Sequence, residues 1–297
     1  MILYAHTTYV LFNMLRKIIK GVRNRFYRFR LYYKHKEILD KNKELRNIKI
    51  GKRCFILGNG PSIKDQDILK LKNEETFVIN NFWNHPNYLE FNPKYYVFID
   101  DNTFTSSDNK NNYWKAEFIR NAPFVSKLPT KFFFHVNAKN LVDLKGFFPS
   151  NHVYYLVFNG FFRENLNFNI DISRVIPNTK NVIVAAIITA IYMGFEEIYL
   201  LGCEHSFLAV PHKYDVADHF YKTKQYDPNS PKDVKYYEPD PTTSYETLMH
   251  DAKILFQNYR LLKNKLASEK PKVKIYNATP NSFLDVFPFV KFEDIKL

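Results

Sequence analysis

In four places a β-rich apolar run passes directly into a short polar cluster. CFIL (54–57) runs into Gly58-Asn59-Gly60-Pro61-Ser62, TFVI (76–79) into Asn80-Asn81, YYVFI (95–99) into Asp100-Asp101, and EIYLL (197–201) into Gly202-Cys203-Glu204-His205-Ser206. Parallel strands would gather these amides, carboxylates and the imidazole at one sheet edge, where open α/β sheets hold their ligands. Such side chains suit the base and ribose of a nucleotide. The first turn suits a phosphate: Gly58 and Gly60 carry no Cβ, backbone N–H groups are expected to be free, and IKDQDILKLK is expected to start a helix whose dipole faces the cleft. A plain tight turn with proline at a helix start is the bland alternative for that cluster alone.

The elements that must position these clusters have the pattern of an α/β protein. Strands are expected at 53–57, 76–80, 95–99, 131–136, 153–158, 197–201 and 273–276, giving a largely parallel sheet covered by helices. NVIVAAIITAIYM (181–193) is apolar almost all round and ends at Gly194, which predicts a buried helix. A second helix, 244–268, opens with a Thr/Ser cap and carries Leu248, Ala252, Leu255, Tyr259, Leu262 and Leu266 along one stripe. Between them, 206–243 is rich in Pro, Asp, Tyr and Lys without a period, as a functional lid would be.

With 297 residues, 45% of them hydrophobic, the chain can bury a large core. Cys54 and Cys203 lie in apolar segments and are expected to be reduced, as in a cytosolic protein. The chain has no CxxC, HExxH or Cys/His cluster, so no structural zinc site is expected. Charge is concentrated at one end: residues 1–53 hold 15 Lys/Arg against Glu37, Asp40 and Glu44, a net of +12 in a chain of +13. RKIIKGVRNRFYRFRLYYKHK interleaves these cations with Ile, Phe, Leu and Tyr, as a basic amphipathic helix on an anionic membrane does. The preceding residues 1–15 are too short and too polar to span a bilayer. The expected organisation is a basic membrane-associating arm (1–50), then a Rossmann-like domain (51–297) with a lid at about 206–243. A nucleic-acid arm is the weaker reading of the same charge.

Together, ILGNGPSIKDQD, VINNFWN, YYVFIDDN, the Ala/Ile-rich helix closed by MGFEEIYLLGCEH, and the final KIYNATPNSFL resemble the bacterial sialyltransferases of glycosyltransferase family 42. They are similar too to the related domain of the motility accessory factor glycosyltransferases. The likeness spans about residues 52–286, leaves out the arm, and is weakest in the lid. It implies an inverting glycosyltransferase that takes a CMP-activated nonulosonic acid, or Kdo, and transfers it to a surface polysaccharide or lipooligosaccharide acceptor. It implies no cofactor and no essential metal. The expected partners are a nucleotide-sugar donor, a glycan or lipid-linked glycan acceptor and an anionic membrane surface, with no nucleic acid, and the expected location is cytoplasmic, at the inner face of the cell membrane. By position, Asn59 would lie against phosphate and ribose, Asn80 would bind the nucleotide sugar, Asp100 stands where the family has Asn, and Thr179 with Asn181 matches a Thr/Ser pair near the donor. The family's catalytic base is a His at the end of the lid, and that position falls on Tyr245-Glu246. The candidates are then His219, followed by Phe220-Tyr221 with a phenol for the leaving group, then His205 oriented and charge-tuned by Glu204, then Glu246. The rival enzyme readings, a pterin pyrophosphokinase or a metal-dependent UDP/GDP-sugar transferase, would draw their Mg²⁺ ligands from Asp100-Asp101.

Overall fold

The computed structural model describes residues 2–105, 109–162, 164, 168–206 and 244–297. Among these residues nine strands follow in chain order: β1 Arg53–Leu57, β2 Thr76–Ile79, β3 Tyr95–Phe98, β4 Lys131–His135, β5 Val153–Leu156, β6 Phe158–Phe161, β7 Ile176–Asn178, β8 Glu197–Leu201 and β9 Lys274–Asn277. The helices are α1 Ile2–Lys34, α2 Lys36–Lys41, α3 Tyr88–Phe91, α4 Asp101–Thr105, α5 Asn109–Val125, α6 Lys139–Lys145, α7 Val182–Met193 and α8 Tyr245–Glu269. Seven strands make one parallel sheet in the order β5-β4-β3-β2-β1-β8-β9, and β6 and β7 form a separate parallel pair. This is the α/β architecture that the alternating runs require.

Both faces of the sheet are apolar because successive residues of each strand supply opposite cores. Cys54, Ile56, Phe77, Ile79, Tyr95 and Val97 pack with α7 and with Leu255, Tyr259 and Leu262 of α8. Phe55, Leu57, Val78, Tyr96 and Phe98 pack with Phe118 and Val125 of α5 and Val142 of α6. All twelve residues of α7 are buried; Asn181 caps it by accepting the Val184 N–H, and Gly194 ends it in the left-handed conformation at φ 97°. Cys54 and Cys203 are free and buried.

Three expectations change. The body begins before residue 51. Leu39 and Leu45 are buried, and the buried Asn42 amide donates to the Tyr155 and Ile172 carbonyls, so only α1 stands as an arm. No α-helix follows the Gly58–Ser62 turn. Pro61–Lys64 and Ile68–Leu71 are separate 3-10 turns, the second capped by Asp67, because Lys64-Asp65-Gln66-Asp67 breaks the apolar period. The apolar N-terminal run and the basic stretch form one continuous helix, α1.

Candidate functional site

The chain passes from β1 to β5 in one direction across the sheet and then crosses to the other side of β1 to lay down β8 and β9. The boundary between β1 and β8 is therefore the topological switch point, where loops diverge and leave a crevice. A cleft of about 360 Å³ opens there, lined by Gly58, Asn59, Gly60, Ile79, Asn80, Asn181, Val182, Ile183, Gly202, Cys203, Glu204, His205, Ser206 and Leu248. Of the expected residues, the fold thus brings together Gly58, Asn59, Gly60, Asn80, Asn181, Glu204 and His205.

The glycines have a different reason from the one expected. A Cβ on Gly58 would lie 2.2 Å from the Gly202 carbonyl oxygen, and one on Gly60 would meet the Glu204 carboxylate and, at 2.8 Å, the same carbonyl. Gly202, at φ 62°, has the Gly58 carbonyl oxygen 2.9 Å from where its own Cβ would be. The three glycines let the β1 and β8 loops touch backbone to backbone. Three of the turn's four N–H groups are taken: Gly58 donates to the Leu201 carbonyl, Gly60 to the Gly202 carbonyl, and Ser62 to Glu204 Oε1 at 2.7 Å. The helix that starts at the cleft is α7, with Asn181, Val182 and Ile183 in the lining.

Three lining side chains keep an unsatisfied acceptor. Asn59 donates its amide to the Ile79 carbonyl, which fixes Oδ1 as the acceptor, and that oxygen is buried without a partner. Glu204 spends Oε1 on Ser62 while Oε2 is buried without a partner. Asn80, held at φ 45°, likewise has an unpartnered Oδ1. Orphan buried acceptors cost about 1–3 kcal/mol each, so their concentration on one cleft marks a place for donors.

The imidazole is organised by a residue that the sequence presents as a core position. Tyr259, fully buried on α8, accepts from Asn181 Nδ2 at 2.9 Å and lies 3.1 Å from His205 Nε2. Burial lowers the His205 pKa to about 4, so the ring is neutral at physiological pH. The expectation that Glu204 orients His205 is corrected: the Glu204 carboxylate is tied to Ser62, and Tyr259 faces Nε2. Asn258 accepts the Lys180 N–H and Asp251 pairs with Lys180 Nζ at 2.7 Å, so α8 also fixes the turn before α7. Tyr259 and Asn258 are the organising residues that sequence reasoning missed; the one available signal was polar tips on an otherwise apolar helix face.

The remaining expected residues lie elsewhere. Ser62 closes the turn with its N–H on Glu204 and is not in the lining, and Thr179, whose buried Oγ1 is unpartnered, stands two residues before the α7 cap. The Asn81 carbonyl closes the turn at Phe82–Asn84. Asp100 accepts from Thr103, while Asp101 accepts from Asn137 at 2.7 Å. Glu246 is exposed in the first turn of α8. His219 and Tyr221, like the rest of the expected lid beyond Ser206, fall outside the described residues. Among the described residues there is no group of three or more His, Cys, Asp or Glu that could hold a metal ion.

No protein-family model and no curated protein matches the chain. Among solved structures it is similar to the MAf glycosyltransferase from Magnetospirillum magneticum AMB-1, with 15% identity and a TM-score of 0.47, over 89% of this chain. The chain spans 39% of that protein's length.

Proposed function

We propose that the protein is an inverting glycosyltransferase that transfers a sugar from a CMP-activated nonulosonic acid or Kdo to a surface polysaccharide or lipooligosaccharide acceptor. The observation that carries the reading is the meeting, in one switch-point cleft, of Gly58-Asn59-Gly60, Asn80, Asn181 and the Gly202–Ser206 turn. These are the segments on which the resemblance to the nucleotide-sugar transferases rests. In the proposed reaction the acceptor hydroxyl oxygen bonds to the anomeric carbon as the bond to the CMP phosphate breaks. The hydroxyl proton passes to a base, and a single displacement inverts the centre. Asp100 and Asp101, the residues behind the metal-dependent alternatives, are absent from the lining.

The test is a thermal-shift screen of CMP, CDP, UDP, GDP and ATP, each with and without Mg²⁺. A ligand that binds only the native state, at a hundred times its Kd, stabilises by about 2.7 kcal/mol, so CMP or CDP should raise the Tm by about 5 °C without Mg²⁺. A rise with ATP and Mg²⁺ alone would overturn the reading in favour of a phosphotransferase.

The same proposal places the enzyme on an anionic membrane through α1. Phe12, Leu15, Ile19, Val22, Phe26, Phe29 and Tyr33 are all exposed and recur at alternating intervals of three and four, making one apolar seam. Arg16, Arg23 and Arg30 run along its border, and residues 2–34 contain eight Lys/Arg and no acid. Two copies packed along this seam would set arginines beside one another with no carboxylate between them. An anionic lipid surface satisfies both the seam and its border, at about 1 kcal/mol per cation near the surface. No described helix is long and apolar enough to cross a membrane. Arg28 donates to the Val175 carbonyl, and Leu31 and Tyr32 pack against Leu39, Val157 and Val175, which ties the end of α1 to the body. The expected result is that Ile19→Glu with Phe26→Glu abolishes sedimentation with phosphatidylserine-containing vesicles and leaves nucleotide binding intact. Wild-type binding should also weaken as salt rises. Equal vesicle binding by the double variant would sink the membrane role.

A further inference from the structure

The cleft carries a carboxylate where the nucleotide reading first put a phosphate. Glu204 is 7% exposed and Asn59 6%, and each lines the cleft from its own side of the switch point. Each has one polar atom spent on the protein backbone and one buried oxygen left without a donor. Among the described lining residues no Lys or Arg stands against the Glu204 charge, and His205 is neutral. An ionised phosphate has no proton to give these oxygens and would repel the carboxylate. A pair of hydroxyls has two donors and no charge.

We propose, resting on the nucleotide-sugar reading above, that Glu204 and Asn59 form a subsite for a vicinal diol, the 2′- and 3′-hydroxyls of a ribonucleotide, with Glu204 Oε2 as the specificity-determining acceptor. The β1 turn therefore selects ribose over deoxyribose and holds the uncharged middle of the donor, leaving the phosphate away from Gly58–Gly60. Gly60 has a part in this arrangement because any side chain there would occupy the position of the Glu204 carboxylate. The lost bonds are those of neutral donors to a charged acceptor, which discriminate strongly when one partner is missing.

The experiment is calorimetric titration of the wild type and Glu204→Gln with CMP, UMP, GMP and AMP and with their 2′,3′-dideoxy counterparts. Gln keeps an oxygen for the Ser62 N–H and replaces the second acceptor by a donor. The expected result is that the wild type prefers the ribonucleotide it binds by about 10- to 100-fold over the dideoxy form, a preference Glu204→Gln loses by binding the ribonucleotide more weakly and the dideoxy form unchanged. A wild type that binds both forms equally overturns the diol subsite and leaves the nucleotide site standing, as does a variant that loses both forms in parallel, since that marks Glu204 as a structural tie. A wild type that binds none of the eight overturns the nucleotide reading and this subsite with it. The wild-type comparison stands by itself should the variant not fold.

Discussion

Gly58→Ala is expected to yield little folded protein, or a protein melting at least about 5 °C below the wild type. The added Cβ would sit 2.2 Å from the Gly202 carbonyl oxygen, and that oxygen belongs to a loop held in place by β8. Overpacking usually costs about 1–3 kcal/mol, and a clash with backbone lies at the top of that range or above, since no side-chain rotation relieves it. Gly58 N–H also pairs with the Leu201 carbonyl at 2.7 Å, so the turn cannot move off without breaking the β1–β8 junction that makes the cleft. Gly21→Ala, at a site with nothing within 4 Å of the new Cβ, is the control and should leave the melting temperature unchanged. Differential scanning calorimetry of the two variants decides the matter. A Gly58→Ala protein with wild-type stability would return the glycine to the role of a phosphate clearing. The contribution of the turn to binding is better read on Asn59, whose substitution leaves the loop crossing in place.

The strands of the main sheet were legible because they are short runs rich in β-branched and aromatic residues, most of them buried on both faces, and no described helix except α7 looks the same. The β6–β7 pair was not legible: Phe158–Phe161 is only partly buried and contains Asn159 and Gly160. Helix α5 was also missed, since NKNNYWKAEFIRNAPFV has a polar opening, an internal Pro123 and, among the described side chains, only Phe118, Ala122 and Val125 as deeply buried positions. The polar strand tips identified the cleft edge because a parallel sheet puts all its strand ends on one side. What no pattern could supply was the wiring between them. Glu204 pairs with a backbone N–H 142 residues away, and Tyr259 reaches His205 and Asn181 from a helix where it counts as one more apolar stripe residue.

That wiring bears on the second large effect, the loss of the general base. His219→Ala is expected to lower sugar transfer by about two to four orders of magnitude, the usual contribution of a positioned base, with little change in CMP affinity, because the base touches the acceptor hydroxyl. The two competitors are weakened by their surroundings. His205 Nε2 lies 3.1 Å from the Tyr259 hydroxyl, and a pKa of about 4 makes the ring a poor proton acceptor at neutral pH. Glu246 is exposed on the first turn of α8 and does not line the cleft. The pH–rate profile separates the candidates. A base must be unprotonated to act, so activity falls as pH drops through its pKa. An imidazole near its ordinary pKa of about 6.5 gives a limb between pH 7 and 6, whereas His205 would keep the rate flat to about pH 4. The expected outcome is a limb near pH 6.5 that is absent from the residual activity of His219→Ala. His205→Asn, a residue suited to φ 52°, should retain both the activity and the limb. A His219→Ala enzyme at full activity, with His205→Asn inactive, would move the base to the strand tip and make Tyr259 its proton partner.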